Sequence, residues 1–165
     1  MNERPVLRGD RVTLRPAEDA DVPALHAMLQ EPEVHAWWGD NTPGDVRQQL
    51  PGSYAIEVGG ELAGWLHVHE EDDPEYRYVA YDISLATRFH GQGLGPETLR
   101  LVIRHHIAAG HHRFQIDPSA TNERAIRAYA AVGFKPVGIL RAYERNPGGG
   151  WRDGLLMDLL ADELT

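Results

Sequence analysis

The chain has 165 residues, no cysteine and a formal net charge of −9. That length suits one domain, residues 1–165, built on a single core. The missing cysteines exclude disulfides, thiolate metal sites and a cysteine nucleophile, and the acidic balance argues against a nucleic-acid partner, which needs clustered Lys and Arg to displace counterions from phosphate.

Taken in chain order, residues 10–15 (DRVTLR) alternate as a strand does. Residues 19–30 predict a helix capped by Asp19 or Asp21, with Pro23 in its first turn. Residues 35–50 (HAWWGDNTPGDVRQQL) read as a loop and a short second helix. Residues 53–58 and 61–69 flank Gly59-Gly60 and form a predicted β-hairpin. An acidic turn follows, EEDDPE, and then a long strand over residues 76–86.

After this strand comes HGQGLGPETLRLVIRHHIAAG. Leu94, Thr98, Leu99, Val102, Ile103 and Ile107 recur at intervals of three and four, which marks a helix with one buried face, starting near Pro96 and stopping at Gly110. HHRFQID is a strand, NERAIRAYAAVG a helix ending at Gly133, FKPVGILRAYER a strand, NPGGG a turn and WRDGLLMDLLAD the last strand. The expected architecture is α/β: a mixed sheet of about six or seven strands with about four helices on its faces.

Gly91, Gly93 and Gly95 sit where a strand passes into a helix. Glycine inside an element costs roughly 1 kcal/mol relative to alanine. Such a cluster is therefore either a tight turn or a cradle in which a phosphate approaches the unpaired first amides of the helix. A P-loop would end in Gly-Lys-Ser/Thr, whereas this one ends Gly95-Pro96-Glu97, and the spacing does not match a dinucleotide fingerprint. His90, Gly91, Gln92, Gly93, Leu94 and Gly95 instead resemble the coenzyme A pyrophosphate loop of the GNAT acyltransferase superfamily. His90 stands where that family prefers Gln or Arg.

Asn122-x-x-Ala125-x-x-x-Tyr129-x-x-x-Gly133-Phe134 resembles the second GNAT signature. The two motifs occur in the right order, each after a strand, and the resemblance covers about residues 10–160. It implies acetyl-CoA as co-substrate, with no metal, and direct transfer to an amine in a ternary complex. It further implies that Tyr129 donates a proton or hydrogen bond to the leaving thiolate, that Asn122 contacts the pantetheine arm, and that backbone at Ile83, Ser84 and Leu85 polarises the thioester carbonyl.

Asp82 lies inside the long strand and Asp117 at the end of the next one. A carboxylate within the apolar run VAYDISL is costly to bury unpaired, which marks Asp82 for function. Asp117 precedes Pro118 and is equally suited to a turn or helix cap. In the GNAT fold these strands splay apart where the amine enters, so two carboxylates there would hold an ammonium and Asp82 could take its proton. Trp37-Trp38-Gly39, Asp82-x-Ser84-Leu85 and Asp117-Pro118-Ser119 together resemble the aminoglycoside 6′-N-acetyltransferase branch. That resemblance implies a small polycationic amine as partner, antibiotic resistance as the role, and Trp37, Trp38, Asp82 and Asp117 as substrate contacts. A tryptophan face suits a sugar ring as well as a core. Glu70, Glu71, Asp72, Asp73 and Glu75 either extend an acidic wall or form a solvated turn.

Three alternatives remain at this point. They are lysine acylation as in siderophore assembly, acetylation of a protein N-terminus (which the opening LRGDRVTLRPAEDADVPAL also resembles), and a non-catalytic acetyl-CoA sensor. The nine histidines show no metal spacing, although His67 and His69 share one face of a strand beside the long one. With no run of eighteen apolar residues and no apolar leader, the chain reads as cytoplasmic, without a membrane partner. The C-terminal strand pair is the candidate surface for a homodimer.

Overall fold

A computed structural model describes residues 3–165. In chain order it runs β1 (Leu7–Arg8), β2 (Val12–Pro16), α1 (Val22–Leu29), α2 (Pro32–Trp38), α3 (Pro43–Gln49), β3 (Tyr54–Val58), β4 (Glu61–Glu71), β5 (Tyr78–Leu85), α4 (Leu94–Ala108), β6 (Arg113–Ile116), α5 (Glu123–Val132), β7 (Lys135–Arg145) and β8 (Trp151–Leu160). The strands form one mixed sheet in the order β1-β2-β3-β4-β5-β6-β8-β7. Among the described residues there are thus eight strands and five α-helices. The predicted mixed α/β layout holds, with the short β1 and α2 added.

Local chemistry explains the boundaries. Gly59 and Gly60 take φ values of 59° and 80° and close the β3–β4 hairpin as a turn that only glycine-like backbone enters easily. Thr42 caps α3: its hydroxyl accepts from the Asp45 amide (3.1 Å), and the Asp45 carboxylate accepts from the Thr42 amide (2.8 Å). Residues 35–38, expected in a loop, complete α2, which Pro32 starts in its first turn and Gly39 (φ 71°) ends. Trp37 and Trp38 therefore project from the last turn of a helix. The long helix α4 begins at Leu94, before Pro96, because Gly93 as N-cap adopts the left-handed conformation (φ 77°) and Pro96 falls in the first turn, where no amide donor is required.

The core lies between the sheet and its helices, with Trp65, Tyr81, Phe114, Leu14 and Leu25 almost wholly buried. Each such side chain contributes about 1.5–3 kcal/mol of burial. The predicted face of α4 packs here, with His106 buried as well and Ile107 at its margin.

One topological detail prepares the site. β5 and β6 are the only parallel neighbours in the described sheet, and they pair only at Val79–Phe114 and Ala80–Gln115. Beyond those residues the strands part. β5 continues to Leu85, still hydrogen-bonded to β4 on its other side. β6 ends at Ile116, and Pro118, which lacks an amide donor, follows closely.

Candidate active site

The fork between β5 and β6 opens into a cavity of about 260 Å³. Asp82 lies two residues past the last paired position on β5, and Asp117 two past it on β6, so both carboxylates sit at one level of the fork. The cavity is lined by Trp37 and Trp38 from α2, Ile83 from β5, Asn122 just ahead of α5, Tyr129 from α5, and Glu144 from β7, besides the two aspartates. Seven of the predicted site residues thus meet in one place.

The electrostatics follow from this crowding. Asp82 is solvent-accessible through the mouth of the cavity, while the walls of the fork crowd its carboxyl. Its carboxyl is pushed up to about 7, first by burial and then by the negative charges of Asp117 and Glu144. Asp117 is also raised by burial, but Tyr143 donates a hydrogen bond to its Oδ2 at 2.5 Å and opposes that rise. Tyr143 takes up the Asp117 carboxylate, so Asp117 is not the helix cap that its sequence context allowed. Tyr129 is almost fully buried, and burial together with Asp82 and Asp117 holds its phenol well above the ordinary range, hence protonated.

Arg152, on β8, donates from Nε to Glu144 (2.9 Å) and from its two terminal nitrogens to the carbonyls of Ala36 (2.8 Å) and Trp37 (2.7 Å). Its guanidinium carbon lies 5.3 Å from the centre of the Trp37 ring. Trp38 faces the cavity on one side and packs towards Trp65 and His67 on the other, at centroid distances of 6.5 and 5.4 Å. It serves wall and core together, which resolves the two readings of the tryptophan pair. His67 is enclosed by these rings and stays neutral at physiological pH, because burial lowers it to about 4. His69 is largely exposed.

The glycine loop stands apart from the cavity, past the end of β5. Gly91 and Gly93 have φ values of 73° and 77°, and a Cβ built on Gly91 would meet no atom within 4 Å. The first intrahelical bond of α4 runs from the Glu97 amide to Gly93 O (3.2 Å), which leaves the amides of Leu94 and Gly95 without an intrahelical acceptor. Arg11, just before β2, fastens the loop, donating to Gln92 O (2.9 Å) and to Glu97 (2.8 Å). The His90 amide is used within the chain by Thr87 O, and its imidazole bonds Leu85 O at 2.8 Å, bracing the loop against the strand end. Asn122 caps α5 by accepting from the Ala125 amide (3.2 Å) while still lining the cavity. The residues of the acidic turn, Glu71 to Glu75, do not line the cavity, and Glu70 pairs instead with Arg4.

The family model for the GNAT acetyltransferase domain matches residues 11–135. The chain belongs to the GNAT acetyltransferase family. It is 30% identical over 156 residues to aminoglycoside N(6′)-acetyltransferase type 1 of Klebsiella pneumoniae, over 79% of this chain and 77% of that one. The structure of AAC(6′)-Ib in complex with paromomycin and acetyl-CoA superposes with a TM-score of 0.77 at 26% identity, covering 93% of this chain and 96% of that one. A GNAT acetyltransferase from Bacillus anthracis agrees in fold, with a TM-score of 0.83 at 17% identity over 96% of this chain and 99% of its own. This GNAT protein is an N-acetyltransferase of the aminoglycoside 6′-acetyltransferase-like branch, and acetyl-CoA is its co-substrate.

The chain fits that co-substrate in two places. The loop offers amides with no intrahelical acceptor and no Cβ at Gly91 or Gly93, as a pyrophosphate requires. From Tyr81 to Leu85 the edge of β5 facing the fork has no strand partner, which suits an extended amide-bearing arm. Among the described residues no helix is long and apolar enough to cross a membrane, and no cluster of three or more His, Asp and Glu could hold a metal.

Sequence reasoning missed Tyr143, Glu144 and Arg152. They lie on a hairpin whose alternation reads only as strand, and no local motif signals that it folds back over α2.

Proposed function

We propose that the chain acetylates a primary amine of a small polycationic acceptor, with the 6′-amine of an aminoglycoside as the substrate. The observation that carries this reading is the joint presence of Asp82, Asp117 and Glu144 around a cavity walled by Trp37 and Trp38. Three carboxylates facing one small volume attract several ammonium groups, and a tryptophan face suits a sugar ring. The resemblance to enzymes named for this reaction supports the same acceptor.

When bound, acetyl-CoA supplies the acetyl group as a thioester. Gly91 to Gly95 hold its pyrophosphate through backbone amides, and Asn122 with the free edge of β5 aligns its arm. Asp82 removes one proton from the acceptor ammonium, directly or through a water, and so frees the nitrogen lone pair. The C–N bond forms as charge develops on the carbonyl oxygen, which accepts hydrogen bonds from backbone between Ile83 and Leu85. The C–S bond then breaks and Tyr129 passes its proton to the departing sulfur. The proton on Asp82 returns to solvent, and the second proton of the acceptor nitrogen, directly or through water, reprotonates Tyr129 as the amide forms.

Thiol release from acetyl-CoA tests this reading with kanamycin, an aminoglycoside lacking the 6′-amine, lysine derivatives and an N-terminal peptide. Turnover with kanamycin and none with the 6′-lacking compound is expected. Turnover only with lysine or peptide would replace the acceptor, and binding of acetyl-CoA without turnover on any amine would indicate a sensor.

A further inference from the structure

The helix carrying Trp37 and Trp38 cannot stand alone. α2 has seven residues, well short of the roughly 12–15 at which even favourable isolated helices become marginal. Only Val34 of its side chains is fully buried. The position of α2 therefore depends on what its ends are tied to.

Its last four carbonyls show the ties. His35 O accepts from the Gly39 amide (2.8 Å), and Trp38 O accepts from Asn41 Nδ2 (3.3 Å). The remaining two, Ala36 O and Trp37 O, are both taken by Arg152 from β8. The same guanidinium holds Glu144, the third cavity carboxylate, and lies against the Trp37 ring. The Arg152 side chain is 14% exposed, and its bonds to Trp37 O and Glu144 are partly buried while that to Ala36 O lies at the surface. At the other end of the helix, Glu31 Oε1 accepts from the Thr87 amide (2.7 Å) and ties the start of α2 to the chain just past β5.

We propose that Arg152 is a positioning residue for acceptor recognition: one guanidinium fixes the Trp37–Trp38 wall and the Glu144 carboxylate to each other. This rests on the assignment of the cavity to the acceptor amine. The guanidinium also offsets one of the three cavity charges, so Glu144 meets an acceptor cation already oriented and partly neutralised. A lysine cannot replace it, since one ammonium does not span two carbonyls and a carboxylate in the fixed geometry of a planar fork.

The test uses R152Q and R152K in the full chain, with steady-state kinetics on the best acceptor and amide hydrogen exchange over residues 32–41 and α4. R152Q is expected to raise the acceptor KM tenfold or more. Its kcat should stay within about threefold and the KM for acetyl-CoA should not change, while exchange speeds up in α2 and not in α4. R152K should fall between wild type and R152Q in both readouts. Unchanged exchange in α2 overturns the clamp. Faster exchange with an unchanged acceptor KM overturns the recognition role. If R152Q does not fold, R152K decides by the same two measurements. If no amine turns over with the wild type, the acceptor assignment fails, and the exchange data alone report on the clamp.

Discussion

Asp82 is the cavity carboxyl held furthest above its ordinary range, and its charge should set the pH profile. With its carboxyl near 7, about half of the free enzyme carries a competent base at pH 7, about a tenth at pH 6 and about a hundredth at pH 5. The value of kcat/KM for the acceptor should therefore fall about tenfold per pH unit below that point. A bound ammonium stabilises the carboxylate, so the limb seen in kcat should lie about one to two units lower than that in kcat/KM. The acceptor's own ammonium adds a separate limb. Two acceptors of different basicity distinguish the two, because the acceptor limb moves with the amine and the Asp82 limb does not. Asp82→Asn should lower kcat by about a hundredfold or more, within the range removed with a general base, and abolish the acidic limb. Affinity for acetyl-CoA, measured by calorimetry, should remain within about twofold. An acidic limb that persists in the variant at the same pH would assign the base to another group and refute the argument.

The same environment has a cost in stability, with a definite sign. A carboxyl raised from 3.8 to about 7 keeps its proton in the folded chain after the unfolded chain has lost it. Over that window the folded state binds more protons, so its stability decreases as pH rises. The contribution is full below about pH 4 and is lost as pH passes through 7. Asp82→Asn should therefore melt higher than wild type at pH 7.5 and lose that advantage at pH 4. A variant that melts lower at pH 7.5 would mean that Asp82 holds the fold together rather than straining it.

Other outcomes follow from the geometry. Gly93→Val should keep the fold but cost about 1–2 kcal/mol for a left-handed β-branched residue, and reduce acetyl-CoA affinity about a hundredfold by filling the cradle; normal affinity would show that the loop does not hold the coenzyme. Tyr129→Phe should lower kcat about a hundredfold at unchanged coenzyme affinity, and the deficit should shrink with an acyl donor whose thiol is more acidic; a deficit independent of the leaving group would remove the phenol from proton transfer. Tyr143→Phe removes the hydrogen bond that opposes protonation of Asp117, so the acceptor KM should rise severalfold at pH 6 and much less at pH 8; an equal rise at both would point to packing alone.

The glycine loop and the fork were legible in the sequence, and the cavity wall built by α2 and the C-terminal hairpin only partly so. Such a loop is a local object: three glycines between a strand and a helix set its backbone, whatever the rest of the chain does. The register of α4 shows the limit, since Gly93 as a left-handed cap moved the helix start ahead of Pro96. Asp82 was visible because a carboxylate in an apolar strand has few structural explanations. Asp117 was ambiguous until Tyr143 was found on it, 26 positions away along the chain. Arg152 carried no signal, because its meaning is a contact with α2 across more than a hundred residues, and Glu144 takes its place through Arg152.

That division has a physical basis. β5 lies between β4 and β6 in the sheet, buried at Val79, Tyr81 and Ser84, so changes there disturb the core. α2 buries one side chain completely, and β7 is exposed along nearly all its length as the outer strand of the sheet. Substitutions on those two elements cost little stability, yet they supply Trp37, Trp38, Tyr143 and Glu144 to the cavity or to the carboxylate on its wall. The acceptor wall can therefore change its chemistry while the coenzyme loop, the fork and Asp82 stay fixed. The clamp at Arg152 lets two weakly anchored elements present one rigid surface. A fold-level resemblance thus establishes the reaction more firmly than the acceptor, and the acceptor must be read from α2 and the C-terminal hairpin.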